Sequence, residues 1–296
     1  MKRVRVITLS LFLFSAELAI AGDPPWTISL TSSQVYQGGI VKIEVSVRSF
    51  SKIKGALRSQ EIPFRLSERG SYTALLGVDL EEKPGPIGLL IQGWNQAGQQ
   101  REELITLRVR EKAFPKEDIS VPTSFDRIDE ATRKRIEKEQ AQLTRLWIIS
   151  SGQRFWEGGF LAPVPGEITS PFGLRRVVNG SARSPHGGVD LKAQLGVQVV
   201  AANHGKVVLR DEFFFSGKSI VLDHGGGLHT MYFHLADFRV EEGSQVRKGD
   251  LIGWAGMTGR VTGPHLHWGA RLNGARVDPF QLLEAPGNEK IKGIKG

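Results

Sequence analysis

The chain contains no cysteine. Disulfides, thiolate metal sites, a cysteine nucleophile and a lipidated N-terminal cysteine are therefore excluded. Long apolar runs are missing as well: past the first residues, nothing approaches the ~20 unbroken apolar residues of a membrane span. Histidine is absent before position 186. Glycine, by contrast, is plentiful, at 35 of 296 residues, with 22 of them between Gly152 and Gly274. That density suits tight turns between short strands better than long helices. Hydrophobic residues make up 40% and charged residues 24%, a balance that excludes a wholly disordered chain. The length suggests two domains of roughly 100–200 residues each.

Residues 1–21 read as a secretory signal peptide. Lys2, Arg3 and Arg5 give a basic start, Val6 to Phe14 is mostly apolar, and Ala19-Ile20-Ala21 offers small residues for cleavage before Gly22. The apolar core is short for a membrane anchor, and Glu17 interrupts its far side. Removing the segment lowers the net charge from +8 to about +6. A mildly basic exported protein suits an anionic polymer.

The mature chain reads as mainly β. Residues 22–110 hold short strand candidates at Val41–Val47, Ser71–Leu76, Ile87–Ile91 and Leu104–Val109, with Pro84-Gly85-Pro86 as a turn. Alternation of apolar and polar residues in the first of these marks a half-buried strand. The set predicts a β-sandwich-like N-terminal domain. Residues 111–152 read as a linker and helix. Pro115, Pro122 and many charges mark the linker over 111–125. Ile128, Ile136, Leu143 and Trp147 then form one helical stripe, with Asp126 and Asp129 at its N-terminus. Mixed charges on the other face nearly cancel, so the helix reads as a strut and not as a nucleic-acid binder. Residues 153–285 return to β structure. Ser219–Asp223 and Leu228–His234 flank Gly225-Gly226-Gly227 and predict a hairpin. Residues 286–296 form a basic, glycine-containing tail.

All seven histidines lie between His186 and His267. His186 and Asp190 share a face in extended structure, which Gly187, Gly188 and Val189 favour. His265 and His267 share a face of a strand, about 7 Å apart along it. If facing strands bring these groups together, imidazole and carboxylate could hold zinc at about 2.0–2.2 Å and leave a position for water. Spacing alone lets both imidazoles of the His-x-His pair bind metal. Strand parity puts His234 on one face with Tyr232 and Thr230, and His229 on the other. His204 and His224 read as turn or locally bonded histidines. A helical His-Glu-x-x-His motif is absent, so no glutamate base comes from that source.

At these residues the sequence resembles the lysostaphin-type, or LytM-like, zinc metallopeptidases that cut peptidoglycan cross-links. The matching stretches are Ser170-Pro171-Phe172-Gly173-Leu174-Arg175, His186-Gly187-Gly188-Val189-Asp190, Asp223-His224-Gly225, Tyr232-Phe233-His234-Leu235, Val246 to Gly253, and Gly263-Pro264-His265-Leu266-His267-Trp268 after Thr258-Gly259. They occur in family order over residues 166–280. The resemblance implies a LytM-type fold, a duplicated hybrid motif of barrel-sandwich kind, over 153–285. It implies one zinc ion on His186, Asp190 and His267. It implies that His234 and His265 flank the attacking water, either as general base and both able to stabilise the oxyanion.

The implied activity is a zinc metalloendopeptidase acting on stem or bridge peptides of peptidoglycan. The leading bond joins D-alanine to a diamino acid; a glycine bridge is the other option. The implied setting is an exported one, periplasmic first and secreted second, with room for a regulatory protein partner. The competing reading is a catalytically silent LytM-like wall-binding module that activates a partner amidase. Such modules usually lack ligands, whereas all five polar positions are filled here. Two further features stand apart. Residues 173–185 hold no tyrosine to assist the oxyanion as in some members, and Phe213-Phe214-Phe215 is unusually apolar. That loop reads as local packing, a groove wall or a dock for the N-terminal domain.

Overall fold

A computed structural model describes residues 26–47, 50–58, 60–122, 128–148 and 153–283. The signal peptide reading at 1–21, the basic tail at 286–296 and Asp126 lie outside the described residues. The protein is mainly β, as its sequence predicts.

The first nine strands are β1 (Thr27–Leu30), β2 (Gln34–Tyr36), β3 (Ile40–Ser46), β4 (Phe50–Leu57), β5 (Gln60–Pro63), β6 (Arg65–Leu66), β7 (Ser71–Gly77), β8 (Gly85–Asn95) and β9 (Gln100–Arg110). They form two sheets, ordered β1-β3-β7-β6 and β2-β9-β8-β4-β5. Alternate residues Val41, Ile43 and Val45 of β3 point inward to meet Leu89 and Ile91 of β8 and Leu107 of β9. Period-two patterning on both inner faces is what makes two sheets pack into a sandwich.

Residues 111–152, read as a linker and helix, hold the helix, α1 (Glu130–Ile148), and also a strand within the expected linker, β10 (Lys116–Ile119). β10 is mostly exposed and pairs in parallel with β12, described next. Its Lys116-Glu117-Asp118 run disguises it in sequence, yet an edge strand tolerates such charge. Asp129 caps α1: its Oδ1 accepts from the Thr132 amide at 2.7 Å, satisfying a donor that the first helical turn leaves open. Ile128, the first residue of the predicted stripe, precedes the helix.

The remaining elements are β11 (Ile168–Ser170), β12 (Arg175–Val178), β13 (Ser181–Ala182), β14 (Gly188–Lys192), β15 (Gln198–Val200), β16 (Gly205–Phe213), β17 (Gly217–Gly225), β18 (Leu228–Phe238), β19 (Gln245–Val246), β20 (Leu251–Ala255), β21 (His265–Leu272), β22 (Ala275–Val277) and the short α2 (Phe280–Leu283). The main sheet runs β11-β14-β21-β18-β17-β16-β19, with β15, β20 and β22 attached. The predicted hairpin is β17–β18. Gly225, Gly226 and Gly227 all have positive φ, at 76°, 64° and 81°, a backbone path that glycine follows without steric cost. One face of the sheet buries Leu191, Leu222, Tyr232, Leu266 and Trp268. On the other face, Leu143, Leu146 and Trp147 of α1 pack against Leu209, Phe213, Val221 and Met231. Phe213 thus docks the helix. Phe215 stays partly exposed, with the Arg260 guanidinium over its ring.

The sandwich is joined to this sheet. Leu80, between β7 and β8, is buried in the core of the later strands. The Asp278 amide donates to the Gly38 carbonyl at 2.9 Å, and Arg276 on β22 meets Asp79 and Glu81. Among the described residues no helix is long and apolar enough to cross a membrane.

Candidate metal and catalytic site

Three neighbouring strands assemble the site. In β14, Val189 and Leu191 turn into the core; in β21, Leu266 and Trp268 do the same. Alternation then sends Asp190, His265 and His267 out of the opposite face. Register does the rest: Asp190 pairs with His267 across β14–β21, and Phe233 pairs with His267 across β18–β21. His186 lies two residues before β14 and closes over its start.

The Nδ1 of His186 faces the Pro171 carbonyl at 3.0 Å. A carbonyl only accepts, so this nitrogen carries the hydrogen and Nε2 presents a bare lone pair. That Nε2 is 2.9 Å from Nδ1 of His267 and 3.0 Å from Oδ1 of Asp190. His267 Nδ1 is 3.0 Å from the same Oδ1. All three donor atoms are close enough for a single ion to reach them. Two imidazole nitrogens and one carboxylate oxygen form a donor set that suits zinc. Burial alone would raise the Asp190 pKa, but hydrogen bonds and charge from His186 and His267 outweigh it and hold the carboxyl well below its usual range. Burial lowers the pKa of His267, partly opposed by its hydrogen bond to Asp190. The site thus favours an ionised carboxylate beside neutral imidazole.

His234 and His265 flank this triangle, their ring centroids 4.8 Å apart. Each is fixed in the same way as His186. His234 Nδ1 donates to the Thr258 carbonyl at 3.0 Å, and His265 Nδ1 to the Gly263 carbonyl at 2.9 Å. Both Nε2 atoms are left as proton acceptors. His265 Nε2 is 3.8 Å from Asp190 Oδ1. Burial, then the nearby His267 and His265, pushes the His234 pKa down to about 3.

Strand parity fails at His234. Thr230 and Tyr232 face the core, where Tyr232 Oη accepts from the Ala202 amide at 2.9 Å. Phe233 faces the site and stacks on His267, the rings 7° from parallel. His234 has φ 65°, and this left-handed residue turns its imidazole to the site side instead of the Tyr232 side. His229 therefore shares the site's sheet face, contrary to the parity expectation. It pairs with Arg271, not with His267, and packs its ring on Trp147 of α1. His224 is buried, bonded to the His204 carbonyl and 2.7 Å from Thr230 Oγ1. Burial lowers its pKa to about 4. His204, His224 and His229 are not part of the triangle.

Sequence reasoning overlooked a support beneath His186. Ser170 Oγ lies 3.2 Å from His186 Nδ1 and accepts from Arg176 Nη2 at 2.9 Å. Arg176 in turn pairs with Glu117 of β10 at 3.1 Å. Ser170 stood in a quoted motif, but its link to Arg176 depends on β10 lying beside β12.

The description "Peptidase family M23" matches residues 184–279, which include all five of these side chains. A Neisseria meningitidis protein named DD-carboxypeptidase/endopeptidase Mpg is 40% identical over 128 residues, 43% of this chain and 30% of that protein. A Vibrio cholerae protein named peptidoglycan DD-endopeptidase ShyA is 38% identical over 115 residues, 38% of this chain and 27% of that protein. The chain thus spans less than a third of the length of these curated relatives. A crystal structure from Pseudomonas aeruginosa, assigned to peptidase M23, matches far more broadly. It is 30% identical with a TM-score of 0.67, over 84% of this chain and 94% of that one.

Proposed function

The chain belongs to peptidase family M23, and from that membership we propose that it is a zinc-dependent endopeptidase hydrolysing peptide cross-links of bacterial peptidoglycan. The observation that carries this reading is the convergence of His186, Asp190 and His267 on one point, with His234 and His265 beside it. A full set of five favours hydrolysis over wall binding alone. Curated relatives named DD-endopeptidases support the bond between D-alanine and a diamino acid as the one cut. Residues 153–285 carry the reaction in this reading. The export signal read at 1–21 supports action outside the cytoplasm, with the periplasm as the compartment of this reading and secretion as the alternative.

His186, Asp190 and His267 would hold the zinc. When bound there, zinc supplies a Lewis acid for the scissile carbonyl and acidifies the attacking water. Pro171 fixes the tautomer that makes His186 a ligand, and Phe233 supports the His267 ring. His234 and His265 each offer a bare Nε2 to take the water's proton. The imidazolium so formed stabilises the oxyanion and then protonates the leaving amine. Asp190→Ala removes the only carboxylate of the triangle. The protein should then lose both zinc, read by elemental analysis, and digestion of purified peptidoglycan. Wild-type digestion by that variant would overturn the reading. Mass spectrometry of defined muropeptides identifies the bond.

A further inference from the structure

Past His267, the site face of the sheet continues into a cavity of about 320 Å³ covered by α1. His267, Gly269 and Arg271 are alternate residues of β21 and so lie along one line of that face. Gly187 leaves the floor open, since a Cβ there would meet only the Arg276 side chain, at 3.7 Å. At the far end stand Arg271 and Arg276, with Trp147 of α1 above.

The two arginines are direct cross-strand partners on β21 and β22, a like-charge pairing that costs stability unless something offsets it. Arg276 is offset: its guanidinium meets Asp79 at 2.6 Å and Glu81 at 2.8 Å. Arg271 is not. It donates to the Gly274 carbonyl at 2.7 Å and lies over the Trp147 ring at 4.8 Å. Its Nε is buried with no hydrogen-bond partner, and no carboxylate pairs with it, among the described residues. Burial and the charge of Arg276, opposed only in part by Asp79, push its pKa down to about 10. The fold thus holds a desolvated cation with no carboxylate in direct contact among the described residues, at the end of a cavity that begins at a candidate zinc ligand.

We propose that this cavity is a subsite for a carboxylate of the wall peptide, which Arg271 receives beside Arg276. From His267 to Arg271 is about 13 Å along the strand. A carboxylate bound there therefore belongs to a residue a few positions from the scissile bond, and α1 forms one wall of the substrate groove. The assignment rests on the peptidoglycan endopeptidase reading.

The test uses the full-length, zinc-loaded protein and cross-linked muropeptide dimers in three forms. One is unmodified, one has the diamino acid carboxylate amidated, and one has the terminal D-alanine carboxylate amidated. Wild type should lose about tenfold or more in kcat/KM on one of the two amides, which identifies the carboxylate. Arg271→Gln should lose a similar factor on the unmodified dimer and discriminate little among the three, with its zinc content unchanged. Arg271→Lys, which keeps the charge, should retain part of the preference. Kinetics within twofold on all three forms of dimer by wild type, or a preference undiminished in Arg271→Gln, would overturn the subsite. If wild type cuts no dimer, the endopeptidase reading fails instead. Calorimetric affinity for the uncleavable monomeric stem peptide, free against amidated, then decides the subsite separately: equal affinities refute it.

Discussion

At His234 the backbone enters the left-handed region, and the reach of that imidazole to the site depends on it. Few non-glycine residues adopt such a φ, although asparagine and histidine do so several-fold more often than most. Asparagine is therefore the substitution that leaves the turn intact and removes the ring. His234→Asn should keep zinc at the wild-type level, because His234 is not a corner of the triangle. Turnover should fall by roughly 10²–10⁴-fold, the range of a lost general acid or base. Zinc analysis beside muropeptide kinetics checks this, and loss of the metal would make His234 a ligand. The same residue shows where sequence stops being informative. His186, Asp190 and the His-x-His pair were legible as a cluster, because spacing by two or four survives in an extended chain. The side to which His234 turns was not, since a single residue of positive φ breaks the alternation on which the reading relied.

Between elements, legibility falls with sequence distance. The apolar stripe of α1 and the β17–β18 hairpin are local patterns. The pairing of Asp190 with His267 spans 77 residues, and only the motif resemblance anticipated it. What α1 packs against was hidden as well: Leu143 lies on the helix, but its neighbours Leu209, Phe213, Val221 and Met231 come from three different strands. Polar contacts secure the same face. Phe214 donates its amide to Glu139 at 2.9 Å, and Arg135 reaches the Glu212 carbonyl at 3.1 Å. A charge at Leu143 would be forced against that apolar patch. Leu143→Asp should cost about 2 kcal/mol at this half-buried position. Amide exchange in α1 should accelerate more than in β14 and β21. Equal acceleration throughout would mean that α1 is no separable element.

On the scale of the molecule, the sandwich and the site-bearing sheet meet through Asp79 and Arg276. Burial tends to raise the Asp79 pKa, but hydrogen bonds from Arg276 and from backbone amides, together with the Arg276 charge, lower it overall. A carboxylate with a lowered folded-state pKa adds stability above its unfolded value, near 3.9, and that contribution disappears as pH falls through the folded value. Asp79→Ala should therefore destabilise the protein by about 2 kcal/mol at neutral pH, as expected for a hydrogen-bonded charge. The gap from wild type should close in acid, as pH falls below the unfolded value and through the lowered folded one. Melting curves over that range check the sign. A gap independent of pH would assign the effect to packing.

Leu80 carries a further consequence. It is a residue of the first half that occupies the interior of the second. Gly77 likewise has its backbone so close to the Leu272 carbonyl that a methyl group would come within 2.7 Å of the oxygen. The two halves therefore share one packed seam. A fragment starting after the sandwich would carry an unplugged hole and a sticky seam, and swapping in a foreign partner would require recutting that seam.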